Sequence, residues 1–295
     1  MNGTSATPEE RRTRKLARRE KQRTANVGRA FKMRSARLAA SPPDRIASDL
    51  LPASKVGCSG WFYWHWRETF YPPAMPTKDW FDFYTQNFAT VELNAPFYSW
   101  PTINTVKTWV RQARMRNFIC TLKVCELITH IKRFSRTQTL VKDFGFIADL
   151  LGKHIGCFLF QLPSSFHFTP ARLKNILAQM DSARRNAVEF RHRSWWNPKV
   201  YAAFKKANVI FCSCSGSQLP DELVATTDEV YIRFHGLTKW YRHDYTPEEL
   251  TVSHIARHVQ RICYTRNGGG WKSLSSDRLF YCVVPLHRGA RVPVI

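Results

Sequence analysis

Polar side chains recur two residues apart at the ends of three short apolar runs. Glu92 and Asn94 close Thr90-Val91-Glu92-Leu93-Asn94, Glu189 and Arg191 close Ala187-Val188-Glu189-Phe190-Arg191, and Arg233 and His235 close Val230-Tyr231-Ile232-Arg233-Phe234-His235. Residues two apart on a strand share a face, so each pair is aimed in one direction. Charged pairs on three strands of one interior are costly unless they meet each other or a ligand. Two chemistries can use them. In the first, Lys123, Arg191 and Arg233 hold an anionic small molecule or a phosphate-bearing ligand, with Glu92 or Glu189 as general base and His130 or His235 as acid. In the second, Glu92, Glu189, His130, His192 and His235 hold a metal for hydrolysis. Three cations stand where that metal would sit, and the chain has neither HxH nor HExxH spacing, so no metal or other cofactor is expected. Glu92 and Glu189 also leave a glycosidase-type carboxyl pair open, since that reading turns on a separation the sequence does not give.

These residues need strands to carry them. The apolar runs predict strands beginning near Val56, Thr90, Ile119, Cys157, Ala187, Val209 and Val230. Helical stripes alternate with them: Trp80, Phe81, Tyr84 and Phe88; Ile103, Val106, Trp109 and Val110; Leu140, Phe144, Ile147 and Leu151. Thr169-Pro170, Asn197-Pro198 and Thr246-Pro247 are cap-and-proline helix starts. Such alternation predicts an α/β protein with a parallel sheet. Polar ends on many strands, without a GxGxxG or phosphate loop after the first, favour a TIM-type (β/α)8 barrel over an open sheet. In such a barrel the C-terminal strand ends build the site. Ser59, Glu92, Asn94, Lys123, Gln161, Glu189, Arg191, Arg233 and His235 are expected at one mouth. His130, His192 and Trp195 follow on loops, and Tyr98, Trp61 and Tyr241 are candidate aromatic walls.

The chain of 295 residues carries a net charge of +23. Residues 1–50 hold 13 Lys and Arg against 5 Asp and Glu, with no apolar stripe through Arg11 to Arg23. They read as a basic, disordered or solvated extension ahead of a barrel domain at 51–295, with Ala39-Ala40-Ser41-Pro42-Pro43 as linker. Residues 11–37 are a candidate nucleic-acid contact or nuclear address, the alternative being a soluble tail. No apolar stretch approaches the roughly 18 residues of a membrane span, and no secretory core is present, so a cytoplasmic or nuclear location is expected. The eight cysteines lack CxxC spacing and are expected to be reduced and structural.

The ordered motifs Val56-Gly57-Cys58-Ser59-Gly60-Trp61, Phe70-Tyr71-Pro72, Thr90 to Tyr98, Lys123 to His130, Phe160-Gln161-Leu162-Pro163, Val188 to Trp195 and Tyr231 to Gly236 resemble the domain of unknown function 72 (DUF 72, YecE-like) family. The resemblance covers residues 55 to about 250 and implies a TIM-type barrel, but no established reaction. The likeness of such barrels to endonuclease IV and xylose isomerase leaves nucleic-acid association or a metal-assisted hydrolase as the alternative, by fold analogy alone. After Thr246 the chain departs from the family. The asparagine-rich end of the eighth strand is absent, Leu279 to Val284 is a substitute strand by pattern, and about 11 residues follow it. An irregular or incomplete eighth unit is therefore expected, with 255–295 divergent. A genuine divergent ending and a frame change near residue 260 would both produce it.

Overall fold

The computed structural model describes residues 7–41, 54–116, 118–220, 222–236 and 280–284. Eight strands follow one another around a closed ring: β1 (Ser54–Cys58), β2 (Thr90–Leu93), β3 (Ile119–Lys123), β4 (Ile155–Gln161), β5 (Asn186–Glu189), β6 (Ile210–Gly216), β7 (Val230–Gly236) and β8 (Phe280–Val284). Every neighbouring pair is parallel, and β8 lies between β7 and β1. The expected seven strand starts fall within two residues of those observed. The helix expected after Thr246 and the candidate wall residue Tyr241 lie outside the described residues.

The period of two divides each strand between two cores. One face carries Val91, Leu93, Leu122, Phe158, Phe160, Val188, Phe190 and Phe211, packed in the larger cluster with the helices. The other face carries Ile119, Cys157, Leu159, Ala187, Ile210, Cys212, Cys214 and Tyr231, which fill the barrel lumen. Side chains filling a small barrel in layers are what an eight-stranded parallel ring requires. Gly57 lets β1 close onto β2, because a Cβ there would stand 2.1 Å from the Thr90 carbonyl oxygen.

One helix, α1 (Pro8–Ala39), precedes the barrel. Helices α2 (Trp80–Asn87), α3 (Ala95–Tyr98), α4 (Ile103–Arg116), α5 (Gln138–Leu151), α6 (Pro170–Leu177) and α7 (Pro198–Lys206) occupy the connections between strands. The starts of α6 and α7 follow the predicted chemistry. Thr169 Oγ1 accepts from Arg172 N–H and Asn197 Oδ1 from Val200 N–H, each with proline at the first helical position. No helix among the described residues is long and apolar enough to cross a membrane.

The basic extension needs a correction. Residues 8–39 are neither disordered nor wholly solvated, since all of them belong to α1, which starts with a reciprocal cap between Thr7 and Glu10. The second half of α1 docks through Asn26, Ala30 and Met33, all buried and spaced for one helical face. Arg19 and Arg23 reach the buried Glu126 at 2.9 and 3.2 Å, and Arg37 reaches the buried Asp143 at 2.9 Å. The stripe is short and its charged anchors find acids more than 100 residues away, which is why no apolar pattern announces it.

Candidate functional site

The lumen faces of several strands turn from apolar to polar along the chain direction. β2 supplies Thr90 then Glu92, β3 Thr121 then Lys123, β4 Leu159 then Gln161, β5 Ala187 then Glu189, and β7 Tyr231, Arg233 and His235. Asn94 and Arg191 lie two residues further on from Glu92 and Glu189. The polar set therefore gathers toward the C-terminal end of the ring, where loops rather than neighbouring layers close the barrel.

Arg233 is the centre of this set. Its guanidinium donates to Glu92 Oε1 at 2.7 Å and to Glu189 Oε2 at 2.5 Å, and all three side chains are almost wholly buried. Tyr231 donates its hydroxyl to Glu92 Oε2 at 2.8 Å. Arg191 holds the other oxygen of Glu189 through its Nε, and its NH2 lies 3.1 Å from His235 Nε2. Burial alone would raise the Glu189 carboxyl, but Arg191 and Arg233 more than reverse that and hold it well below the usual carboxylate range. Burial, then Arg191 and Arg233, push His235 down to about 3. It is a neutral imidazole, and Nε2 either accepts from Arg191 or donates to Glu189, which lies 3.2 Å away.

Lys123 stands apart from this network. Its Nζ lies 4.4 Å from the centre of the Phe97 ring, and it has no hydrogen-bond or ion-pair partner among the described residues. Burial, and secondarily Arg233, lower it to about 8, against the pull of Glu92 and Glu189. His130 packs edge-on against the same phenyl at 4.9 Å, with Nδ1 2.9 Å from Thr129 Oγ1. Burial and Lys123 push it down to about 4. Neither histidine carries an imidazolium proton near neutral pH, so the expected general-acid role for His130 or His235 is not supported by their charge state. Glu189, doubly bonded to cations, is likewise a weak base.

The remaining candidates separate. Asn94 Nδ2 donates to the Ser59 carbonyl at 2.8 Å, so Ser59 enters through its backbone rather than its hydroxyl. Asn94 Oδ1, Gln161 Oε1 and Arg233 Nε are buried polar atoms with no partner among the described residues. Tyr98 is half exposed on the rim, with the Arg19 guanidinium 6.0 Å above its ring. Two expectations are corrected. Trp195 is fully buried outside the lumen, stacked on Phe190 at 3.9 Å, with its indole N–H donated to the Phe166 carbonyl at 2.7 Å. His192 stacks on His167 at 3.9 Å and caps the turn at Ser194, which keeps its ring out of the network. Trp61 packs against Phe81. Sequence reasoning misses Phe97 and Tyr231. Tyr231 is within its reach, since it shares the face of Arg233 and His235.

A divalent cation is poorly served here. Glu189, Cys212 and Cys214 bring ligand-type atoms within 4.8 Å of one another. Burial, then Cys214, raises the Cys212 thiol well above its ordinary range, and Glu189 is already shared by two arginines. Metal binding would have to deprotonate the Cys212 thiol beside fixed positive charge. The six cysteines described in full, Cys58, Cys120, Cys125, Cys157, Cys212 and Cys214, are buried and unbridged.

A closed ring with this polar mouth invites comparison with known proteins. The family model for "Protein of unknown function DUF72" matches residues 55–270. The chain belongs to the DUF72 family. It is 27% identical over 227 residues to the UPF0759 protein YunF of Bacillus subtilis, covering 70% of this chain and 79% of that one. A DUF72 family protein of Thermotoga maritima superposes with a TM-score of 0.66 at 22% identity, covering 81% of this chain and 94% of the other. One from Enterococcus faecalis gives 0.60 at 16% identity, covering 82% and 94%. At these identities the structures speak for the fold. The whole of α1 lies ahead of the matched residues, so its ion pairs with Glu126 and Asp143 join the DUF72 domain to a segment outside the family match.

Proposed function

We propose that the C-terminal mouth of this TIM-type barrel binds a small anionic ligand carrying phosphate or carboxylate, and that Lys123 is its principal contact. One observation carries this reading: Lys123 is left unpartnered among the described residues although two carboxylates share its interior. Both carboxylates are committed to Arg233 and Arg191, and His130 and His235 are neutral. The set is therefore left with one positive charge in excess. An incoming anion meets that excess in a partly desolvated mouth, where its attraction is stronger than in water. The role expected for Arg233 changes accordingly. It orients Glu92 and Glu189 as scaffold, while Arg191 borders the site.

Calorimetric titration with inorganic phosphate at low salt tests this. The wild type should bind saturably at one site, and Lys123→Met should bind about tenfold or more weakly, the loss of one charge-assisted contact. Equal binding by the two proteins, or no saturable binding by the wild type, would remove the reading.

A second reading has its own support. Residues 7–21 are exposed along their length and include Arg11, Arg12, Arg14, Lys15, Arg18 and Lys21. A basic helical rod of this kind fits nucleic-acid phosphates through charge alone. The hydrolase alternative gains no support from the site chemistry.

A further inference from the structure

We infer that Lys123 is an amine nucleophile that forms an imine with a small anionic carbonyl compound, of which a 2-oxo acid is the simplest class. The inference rests on the anion reading of the same mouth and names what the bound molecule does there. The geometry comes first. Lys123 ends β3 on the lumen side, at the end of the ring where a ligand enters, and its Nζ rests on the Phe97 face rather than on a carboxylate. A lysine kept only to neutralise acids would sit on Glu92 or Glu189. Here two arginines have taken that role, and the amine is left to react.

Burial and the cations around it keep that amine available. Arg233 on β7 and Arg191 beyond β5 favour the free base, against Glu92 on β2 and Glu189 on β5, which favour the ammonium form. Lysines desolvated beside other cations are the ones that act as nucleophiles. A shift from 10.5 to about 8 gives about 300-fold more free amine at neutral pH than an ordinary lysine has.

The step balances without an oxidant or reductant. The free amine adds to the carbonyl carbon, and its nitrogen lone pair forms the new C–N bond. The carbonyl oxygen takes up a proton as the nitrogen loses one. That hydroxyl then leaves as water with a second proton, forming the C=N bond. Solvent water at the mouth supplies and removes these protons. A carboxylate next to the carbonyl would be drawn in by the ammonium form of Lys123, the source of the site's excess positive charge, and would stabilise the cationic iminium that the free-amine fraction forms.

The full chain is treated with glyoxylate and sodium cyanoborohydride, which reduces the imine to N-carboxymethyl-lysine, and the adduct is located by peptide mass spectrometry. Lys123 should be labelled at least about tenfold faster than the exposed Lys78 and Lys107, and inorganic phosphate should slow it. Labelling of Lys123 no faster than of Lys78 overturns the nucleophile. Phosphate binding by the same sample then shows whether the anion reading survives without it. Fast labelling by glyoxylate and neutral acetaldehyde alike, without protection by phosphate, keeps the nucleophile and overturns the anionic substrate class. Because each rate is read at its own residue in wild-type protein, no variant has to fold. Lys123→Arg should remove only that adduct, and its persistence in the same peptide would contradict the assignment.

Discussion

At the residue scale, the alternating polar pairs are legible because a period of two is all that is needed to see that Glu92, Glu189, Arg191, Arg233 and His235 share an interior. Their division of labour is not. Whether an arginine faces a ligand or a carboxylate depends on which strands are opposite, and Glu92 and Arg233 are 141 residues apart. The geometry makes Arg233 a structural centre, so Arg233→Ala should cost about 3–5 kcal/mol of stability, the usual scale for leaving buried carboxylates uncompensated. Urea unfolding measures it, and a loss below about 1 kcal/mol would show that the network is not needed for folding. The sign for pH follows from the lowered Glu189 carboxyl. Its contribution is complete above the ordinary carboxylate range near 4.5 and is lost as pH falls toward its depressed native value.

At the scale of elements, strands and caps follow from sequence because they are local. Thr169-Pro170 and Asn197-Pro198 carry their own helix-start chemistry, and the lumen alternation sets which face is inside. The first helix escapes such a reading because its anchoring is not local. Asn26 donates to the Tyr98 carbonyl at 3.0 Å and accepts from the Trp100 N–H at 2.8 Å, imitating a backbone partner for the loop after β2. With only Ala30 and Met33 as fully buried apolar neighbours on that helix, this side chain carries much of the docking. Asn26→Ala should therefore cost about 1–3 kcal/mol, the range for leaving buried backbone groups unsatisfied. Hydrogen exchange should show faster exchange in residues 22–37, with the strands unchanged. Unchanged protection there would mean that Arg23 and Arg37 hold the helix without it.

At the scale of the molecule, the charge of +23 is not spread evenly, and the first helix shows how it is used. The helix commits Arg19, Arg23 and Arg37 to acids of the body, while residues 7–18 are exposed and rich in cations. If that exposed half binds nucleic acid, affinity for a single-stranded oligonucleotide should fall steeply as salt rises, since each neutralised phosphate releases counterions. Replacing Arg11, Arg12, Arg14 and Lys15 by Gln should flatten the logarithmic salt slope by about 2–3, at about 0.7 for each phosphate no longer neutralised. An unchanged slope would assign the binding to another surface. The fold class is readable at this scale because one strand pattern recurs seven times. The site's charge balance is not, because it depends on which cations are already paired.

The Lys123 amine, unpartnered among the described residues and proposed to meet an anion, is the point on which the functional reading turns, and a carbon-13 titration of its Cε signal probes that amine itself. The apparent pKa should lie near 8 in the free protein. It should rise on adding phosphate, because an anion that prefers the ammonium form must favour protonation by the same free energy. A titration at the ordinary value of 10.5 that does not move with phosphate would contradict both the free amine and the anion site.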